Sequence, residues 1–403
     1  MTLRITICGG GNAAHTLVGL LGSQDGLSVR IYVPMGDEAQ RWNEGIKNNH
    51  GIIVKSPDKI YSGYPEAICR DPEDAVSNAQ IVLLALPAFA HESILRQIAP
   101  FTKPGTWVGA IPARGGFDLC AREVFKEHFS DYIFFGFQTL PWACRIQTYG
   151  QQAVILGTKE RVDLAVLPFD QSILLTSRLQ ELLGVKLNYC PNFLSLTLAD
   201  TGQIIHPGIM YGLFHDWNGK PYPEHLLFYQ SVDAKIAEIL QQVSNEIQSL
   251  RAAIEERFPG LLLASVHPIK EWLQRSYNAS IVDDKSLQSC FASNTSYAGL
   301  LAPMQKTTNG YIPDFTARYL SEDVPYNLLV TRGIAALACV PTPNIDQILA
   351  WAQIQLAKEF LLHGELRGKD LIHTRTPQRH GFTELDHLMS EMQYLPRINK
   401  GIH

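Results

Sequence analysis

No uninterrupted apolar run in this 403-residue sequence is long enough to span a bilayer, which takes roughly 20 residues, so no membrane partner is expected. There is no surplus of positive charge. Its 34 lysines and arginines face 39 acids, a formal charge of −5, and a nucleic-acid partner would need a basic face. The seven cysteines are scattered from Cys8 to Cys339 without a C-x-x-C pair. That pattern gives neither a zinc knuckle nor a disulfide framework, so no metal is expected, and the thiols read as reduced ones in a cytoplasmic protein. No signal peptide is expected, because the chain enters its first strand almost at once without a separate apolar segment. Repeats, low-complexity linkers and heptads are also lacking, and a monomer is expected. What remains is an ordinary globular composition, 46% apolar, in a chain long enough for two domains.

The most informative stretch is residues 3–21. Leu3, Ile5 and Ile7 open a short buried strand, three glycines follow, and Ala14, Leu17, Val18 and Leu21 then fall at helical spacing. Gly9, Gly11 and Ala14 fit the dinucleotide pattern G-x-G-x-x-G/A. The first glycine makes the turn, the second lets the backbone approach a pyrophosphate, and the small third residue seats the helix on the strand. Gly9, Gly10, Gly11, Asn12, Ala13 and Ala14 are therefore the expected cofactor loop. A tight turn in some other α/β protein fits the same residues. The second strand, 28–33, ends in Val33-Pro34-Met35-Gly36, and the nearest acid able to hold ribose hydroxyls is Asp37. Arg30 and Arg41 lie away from that strand end, which favours NAD over NADP.

Further strands are expected at 81–86, 107–111, 133–137 and 153–156, with helical segments between them, one opening on Asp71-Pro72. This alternation implies an α/β, Rossmann-type, doubly wound and mostly parallel sheet, whose ligands bind beyond the carboxyl ends of the strands. The loops there include Pro87 and Phe89, residues 112–116 and residues 138–145. From about residue 194 the texture turns mostly α-helical. Val232, Ile236, Ile239, Leu240, Val243, Ile247, Leu250 and Ile254 form one stripe that Pro259-Gly260 ends. Asn344 is the expected cap of a second helix running through Ile345, Ile348, Leu349, Ala352, Leu356 and Phe360 to Gly364. The domains are thus 1–190, cofactor-binding, and 191–403, helical and substrate-binding.

Such an architecture serves two-substrate dehydrogenases, which need an acid/base and a clamp for a carbonyl compound. His206, in Ile204-Ile205-His206-Pro207-Gly208, is a candidate base, though an apolar setting also suits a core histidine. Residues 314–323 read as a solvated helix in which Asp314 pairs with Arg318 at i,i+4 spacing.

Several runs resemble the opine dehydrogenases of marine invertebrates, the octopine, tauropine, alanopine and strombine dehydrogenases. They are Gly9–Thr16, Pro87-Ala88-Phe89-Ala90-His91-Glu92, Thr139-Leu140-Pro141-Trp142-Ala143-Cys144-Arg145, His206-Pro207, Pro313-Asp314-Phe315, Arg318-Tyr319-Leu320, Glu322-Asp323 and Pro377-Gln378-Arg379. The likeness spans nearly the whole chain in order. It implies reductive condensation of pyruvate with an amine, NADH giving its hydride to the imine and being reoxidised as in anaerobic glycolysis. It also implies His206 and Asp323 as the proton-handling pair, Arg318 as the keto-acid clamp, Thr139 as a second keto-acid contact, Trp272 as a wall of the amino-acid pocket, and Pro87 and Phe89 at the cofactor. A histidine whose tautomer is set by a carboxylate suits that role, and the planar fork of arginine suits a carboxylate.

Three positions depart from the arginine-using members. Gln138 stands where they carry an acid before the threonine, Arg114 replaces a neutral amide, and Asp200-Thr201-Gly202 replaces bulkier residues. A pocket that loses a carboxylate and gains a cation favours a small amino compound with an anionic end, such as glycine, alanine, β-alanine or taurine. Asp200 leaves a second reading open, because it can pair with Arg114. Two other activities fit the same fold: a simple 2-keto-acid reductase and a non-catalytic NAD-binding sensor.

Overall fold

Short apolar runs alternate with amphipathic ones through the first half of the chain, and the computed structural model, which describes residues 2–395, turns them into strands and helices in that order. They are β1 (Leu3–Cys8), α1 (Asn12–Leu21), β2 (Leu27–Tyr32), α2 (Glu38–Asn49), β3 (Ile52–Lys55), β4 (Ile60–Gly63) and β5 (Ala67–Cys69). Next come α3 (Pro72–Val76), β6 (Ile81–Leu84), α4 (Ala88–Ile98), β7 (Trp107–Ala110), α5 (Phe117–Phe125) and β8 (Ile133–Phe137). Then follow β9 (Trp142–Thr148), β10 (Gln152–Thr158), β11 (Val162–Leu167), α6 (Ser172–Leu183), β12 (Leu187–Cys190) and α7 (Phe193–Ala199). The chain divides into two compact units, Met1–Leu196 and Thr197–His403, the division falling within α7.

Eight strands of the first unit form one sheet in the order β12-β11-β8-β7-β6-β1-β2-β5. Every pairing is parallel except β8 with β11. All four residues of β6 are buried, as a strand covered on both faces requires. It is two residues shorter than the apolar run 81–86, because Pro87 already caps α4. The sheet is the doubly wound Rossmann-type sheet the alternation implies. Residues 153–156 are a correction: they lie in β10, which belongs to a second sheet, β4-β3-β10-β9. There β10 runs antiparallel to β9 and parallel to β3. Its first four residues alternate in burial, the signature of a strand with one solvated face. The helix α1 packs against strands of both sheets, so its glycine-rich start is fixed from two sides.

His15, on α1, makes one of those fixings. Its Nε2 accepts from Gly150 N at 2.8 Å and its Nδ1 donates to Gly11 O at 3.0 Å. Trp42 lies 4.0 Å from the ring, centroid to centroid. A fully buried imidazole that accepts from a backbone N–H has to be neutral, and burial pushes its pKa down to about 4.

The second unit is built from α8 (Gly202–Phe214), α9 (Ala234–Arg257), α10 (Ile269–Tyr277) and α11 (Leu287–Ser293), then a hairpin of β13 (Met304–Thr307) and β14 (Gly310–Pro313). After it come α12 (Arg318–Ser321), a π-helical turn Val324–Leu328, α13 (Leu329–Leu337), α14 (Pro343–Gln355) and α15 (Leu385–Glu391). Asp233 caps α9, accepting from Ile236 N at 2.8 Å, and the buried stripe from Ile236 to Ile254 follows. Asn344 is not the cap of α14. Thr342 holds that position, Asn344 lies inside the helix, and Glu246 of α9 receives the N–H groups of Asn344 and Ile345 at 2.7 and 3.0 Å. The helix also stops before Phe360. Gln353 Oε1 accepts from Phe360 N and Leu361 N, both at 2.9 Å, and turns the chain away. Gly364, expected just past the helix end, instead sits in the turn between two short antiparallel strands.

Among the described residues no helix is long and apolar enough to cross a membrane. The cysteines are free thiols.

The depressed pKa of His15 has a fixed sign. The unfolded chain takes up the proton first, so the contribution to stability is complete above pH 6.5 and is lost as pH falls towards 4. About 3 kcal/mol is at stake. Thermal melts across that window should show the parent losing more stability than His15→Gln, which can still accept from Gly150. Parallel acid slopes in the two proteins would remove His15 as the cause.

Candidate active site

In the first unit the loops at the carboxyl ends of β1, β6, β7 and β8 gather the expected cofactor and keto-acid residues. Gly9 has a φ of +127°, and a methyl group there would lie 2.6 Å from Ala85 O, so the loops after β1 and β6 meet without room for a side chain. A methyl at Gly10 would lie 2.7 Å from the Tyr149 hydroxyl and 2.8 Å from Glu38 Oε1, whereas Gly11 borders open space. Asn12 is tied down by its side chain, Oδ1 accepting from Ile146 N at 2.9 Å. Ala13 is half-buried and Ala14 fully buried beneath α1. Gly11 caps α1 without a side-chain hydrogen bond, which leaves the first-turn N–H groups to an anion.

The acid beside this turn is Glu38, one residue beyond Asp37. Asp37 is exposed and caps α2 in position only, its carboxylate making no cap hydrogen bond. Arg41 lies over the Tyr149 ring at 3.9 Å, and burial, helped by the charge of Glu38, pushes the Tyr149 phenol up to about 12. At the end of β6, Pro87 caps α4 and Phe89 is 60% exposed on its first turn. An uncapped helix start, a glycine with open space and a neighbouring carboxylate together fit a dinucleotide.

The loops after β7 and β8 are joined by Ala113 N donating to Phe137 O at 2.8 Å. Arg114 and Gln138 each follow that bonded pair by one residue. Arg114 has a φ of +62°, a conformation that costs a non-glycine residue about 1–2 kcal/mol. Thr139 Oγ1 accepts from Lys159 Nζ at 2.6 Å, and nothing in the spacing of residues 139 and 159 forecast that contact.

In the second unit the structure brings His206 and Asp323 together. Nδ1 of His206 lies 2.9 Å from Asp323 Oδ2. A carboxylate only accepts, so Nδ1 carries the hydrogen and Nε2 has the lone pair. The Tyr229 hydroxyl sits 3.3 Å from Nε2, and the Tyr319 ring stacks on the imidazole at 4.1 Å with 8° between planes. Burial holds the Tyr229 phenol well above its ordinary range, so that hydroxyl stays protonated and able to donate.

Arg318 does not pair with Asp314. Asp314 closes a local turn on the backbone and hydroxyl of Thr316, and α12 starts only at Arg318. The guanidinium instead bonds Glu322, whose side chain is 1% exposed while that of Arg318 is 56% exposed. Asp200 accepts from Gly202 N at 2.9 Å through one oxygen and from Asn327 Nδ2 at 3.1 Å through the other. Trp272, on α10, meets Tyr277 edge-on. Tyr277, Tyr297 and Tyr229 continue the ring contacts to His206. Tyr229, Tyr319, Glu322, Asn327, Lys159 and Glu38 are the residues the sequence reading missed. Only Glu322 and Asn327 had a local signal, each four residues after a recognised site residue. No group of three or more described histidines, cysteines or acids could hold a metal.

A family model for the "NAD/NADP octopine/nopaline dehydrogenase, alpha-helical domain" matches residues 189–356. Octopine dehydrogenase of Pecten maximus is 36% identical over 97% of this chain and 99% of its own length. Tauropine dehydrogenase of Arabella iricolor is 36% identical over 96% and 99%. Solved structures of octopine dehydrogenase, one with NADH and L-arginine and one with NADH and pyruvate, superpose with TM-scores of 0.90 and 0.87. They are 35% and 34% identical, and each covers 100% of both chains. Agreement of this extent over both units makes the chain a member of the opine dehydrogenase family.

Proposed function

We propose that this protein joins pyruvate to the amino group of a small amino compound and reduces the imine with NADH. The observation that carries the reading is the 2.9 Å His206–Asp323 bond, which leaves Nε2 as the one base of the pair. The glycine loop 9–14, Glu38 with neighbouring Asp37, Pro87 and Phe89 would hold the nicotinamide dinucleotide. The chemistry supplied by that cofactor is hydride transfer to the former keto carbon.

The protein's own groups manage protons and charge. Nε2 of His206 takes a proton from the ammonium, freeing the nucleophilic amine, and returns it to the carbinolamine hydroxyl as water leaves. Asp323 holds the tautomer and stabilises the imidazolium between those two steps. Arg318, anchored at Nε by buried Glu322, has its terminal nitrogens to grip the pyruvate carboxylate, with Thr139 as the second contact.

Specificity is the finer part of the proposal. Gln138 offers no charge to a guanidinium, and Arg114, held in a left-handed backbone, offers a cation to a carboxylate or sulfonate. Trp272 walls the amino-acid pocket. Asp200 is engaged on the dyad's side through Asn327. Taurine, β-alanine, alanine and glycine are the matching amines. A cytoplasmic monomer working this way reoxidises glycolytic NADH.

NADH oxidation at fixed pyruvate should depend on the amine, with those four amines exceeding arginine. Equal turnover with pyruvate alone would instead establish a keto-acid reductase, and binding without turnover a sensor. His206→Ala should lower kcat by roughly 10²- to 10⁴-fold. Arg318→Lys should raise the KM for pyruvate more than it lowers kcat, and an unchanged pyruvate KM would take Arg318 out of the site.

A further inference from the structure

We propose that Asn327 is a positioning residue, an amide clamped between two buried carboxylates that fixes Asp323 and, through it, the Nδ1–H of His206. The inference rests on the reading of His206 as the proton carrier. Asn327 has no exposed surface. Its Nδ2 lies 3.0 Å from Asp323 Oδ1 and 3.1 Å from Asp200 Oδ2. Carboxylates only accept and the amide NH2 only donates, so one orientation of the amide satisfies both neighbours. The flipped amide would set its oxygen against two anions.

The bonds close a ring. Gly202 N, at the start of α8, donates to Asp200 Oδ1 at 2.9 Å. Asp200 receives Asn327, Asn327 also holds Asp323, and Asp323 receives His206, one turn further along α8. Asp323 and Asn327 are four residues apart and so are side-chain neighbours on a helical turn. The backbone between them is wound as a π-turn, Leu328 N donating to Asp323 O at 3.0 Å. Each end of the ring is therefore anchored on the helix that carries the base.

The charges facing His206 are few in kind. Asp323 meets Nδ1, Tyr229 and Tyr319 meet the ring, the Arg318–Glu322 pair lies on and just after α12, and Asp200 stands behind Asn327. From α9, Leu240 packs against Gly208 and Ile236 against Gly212 of α8. From α14, Gln347 bonds the Tyr211 hydroxyl. A change of charge at 327 or 200 is thus felt at the imidazole through Asp323.

Asn327→Leu removes both donated hydrogen bonds, leaves Asp323 the more basic and should move the His206 titration midpoint up; Asp200→Asn removes a negative charge and should move it down. Both are nearly isosteric. The midpoint is read by NMR on the imidazole resonance that His206→Gln lacks, with thermal melts confirming that each variant is folded. In opine oxidation, where His206 has to be neutral, the acid limb of kcat/KM should follow the same two directions with KM for NAD+ unchanged. A purely structural Asn327 would lower the melting temperature and leave the midpoint alone, and an unmoved midpoint in both variants overturns the proposal. Should Asn327→Leu fail to fold, Asp200→Asn decides alone. If the parent turns over no opine, the functional reading fails, while the midpoints still judge the ring.

Discussion

A carboxylate can accept hydrogen bonds but cannot donate one, and the second unit is organised around that asymmetry. Burying an uncompensated carboxylate costs several kcal/mol, so each buried acid has to be met by donors from elsewhere in the chain. Glu246 meets the start of α14, Glu322 meets Arg318, Asp200 meets Gly202 and Asn327, and Asp323 meets Asn327 and His206. The same constraint that pins helices together selects the histidine tautomer. Fold and chemistry share one cause here.

The first unit solves a different problem, bringing backbone close to a large anion. It does so by omission: Gly9 and Gly10 remove side chains where the loops after β1 and β6, Glu38 and Tyr149 crowd together. Two sheets hold α1, and His15 ties its first turn to the β9–β10 hairpin through Gly150. An imidazole in that place acts as a rigid spacer with one donor and one acceptor. His206, by contrast, is one-fifth exposed, and the lone pair on its Nε2 faces a hydroxyl, that of Tyr229, rather than a backbone N–H. Burial and partner, not residue type, separate the two histidines.

Much of the architecture was legible because it rests on local periodicity. Buried strands such as β6 and the long α9 announce themselves by runs and stripes. The second sheet did not, since β3 and β10 pair across about a hundred residues and no local pattern encodes a distant partner. The start of α14 was misread for a related reason: its first N–H groups are received by Glu246, from another helix. Its end was misread because Leu356 and Phe360 continue the apolar stripe while Gln353 intercepts the backbone. In the site, spacing alone could not choose between Asp314 and Glu322 as the partner of Arg318, both being four residues away. The helix that begins at Arg318 makes the choice. His206 was a candidate from its setting, Asp323 came from family likeness, and Tyr229, brought in by a separate segment, had no sequence signal at all.

The bare start of α1 has a thermodynamic consequence. A helix capped by glycine forgoes roughly a few tenths of a kcal/mol that serine or aspartate at Gly11 would return. A side chain there would also fill the open space that an incoming phosphate needs. The protein therefore keeps a small instability in its amino-terminal unit, one that an anion at this turn would relieve. Ligation and folding are coupled at this turn, because a ligand that binds only the folded first unit adds to its stability by mass action.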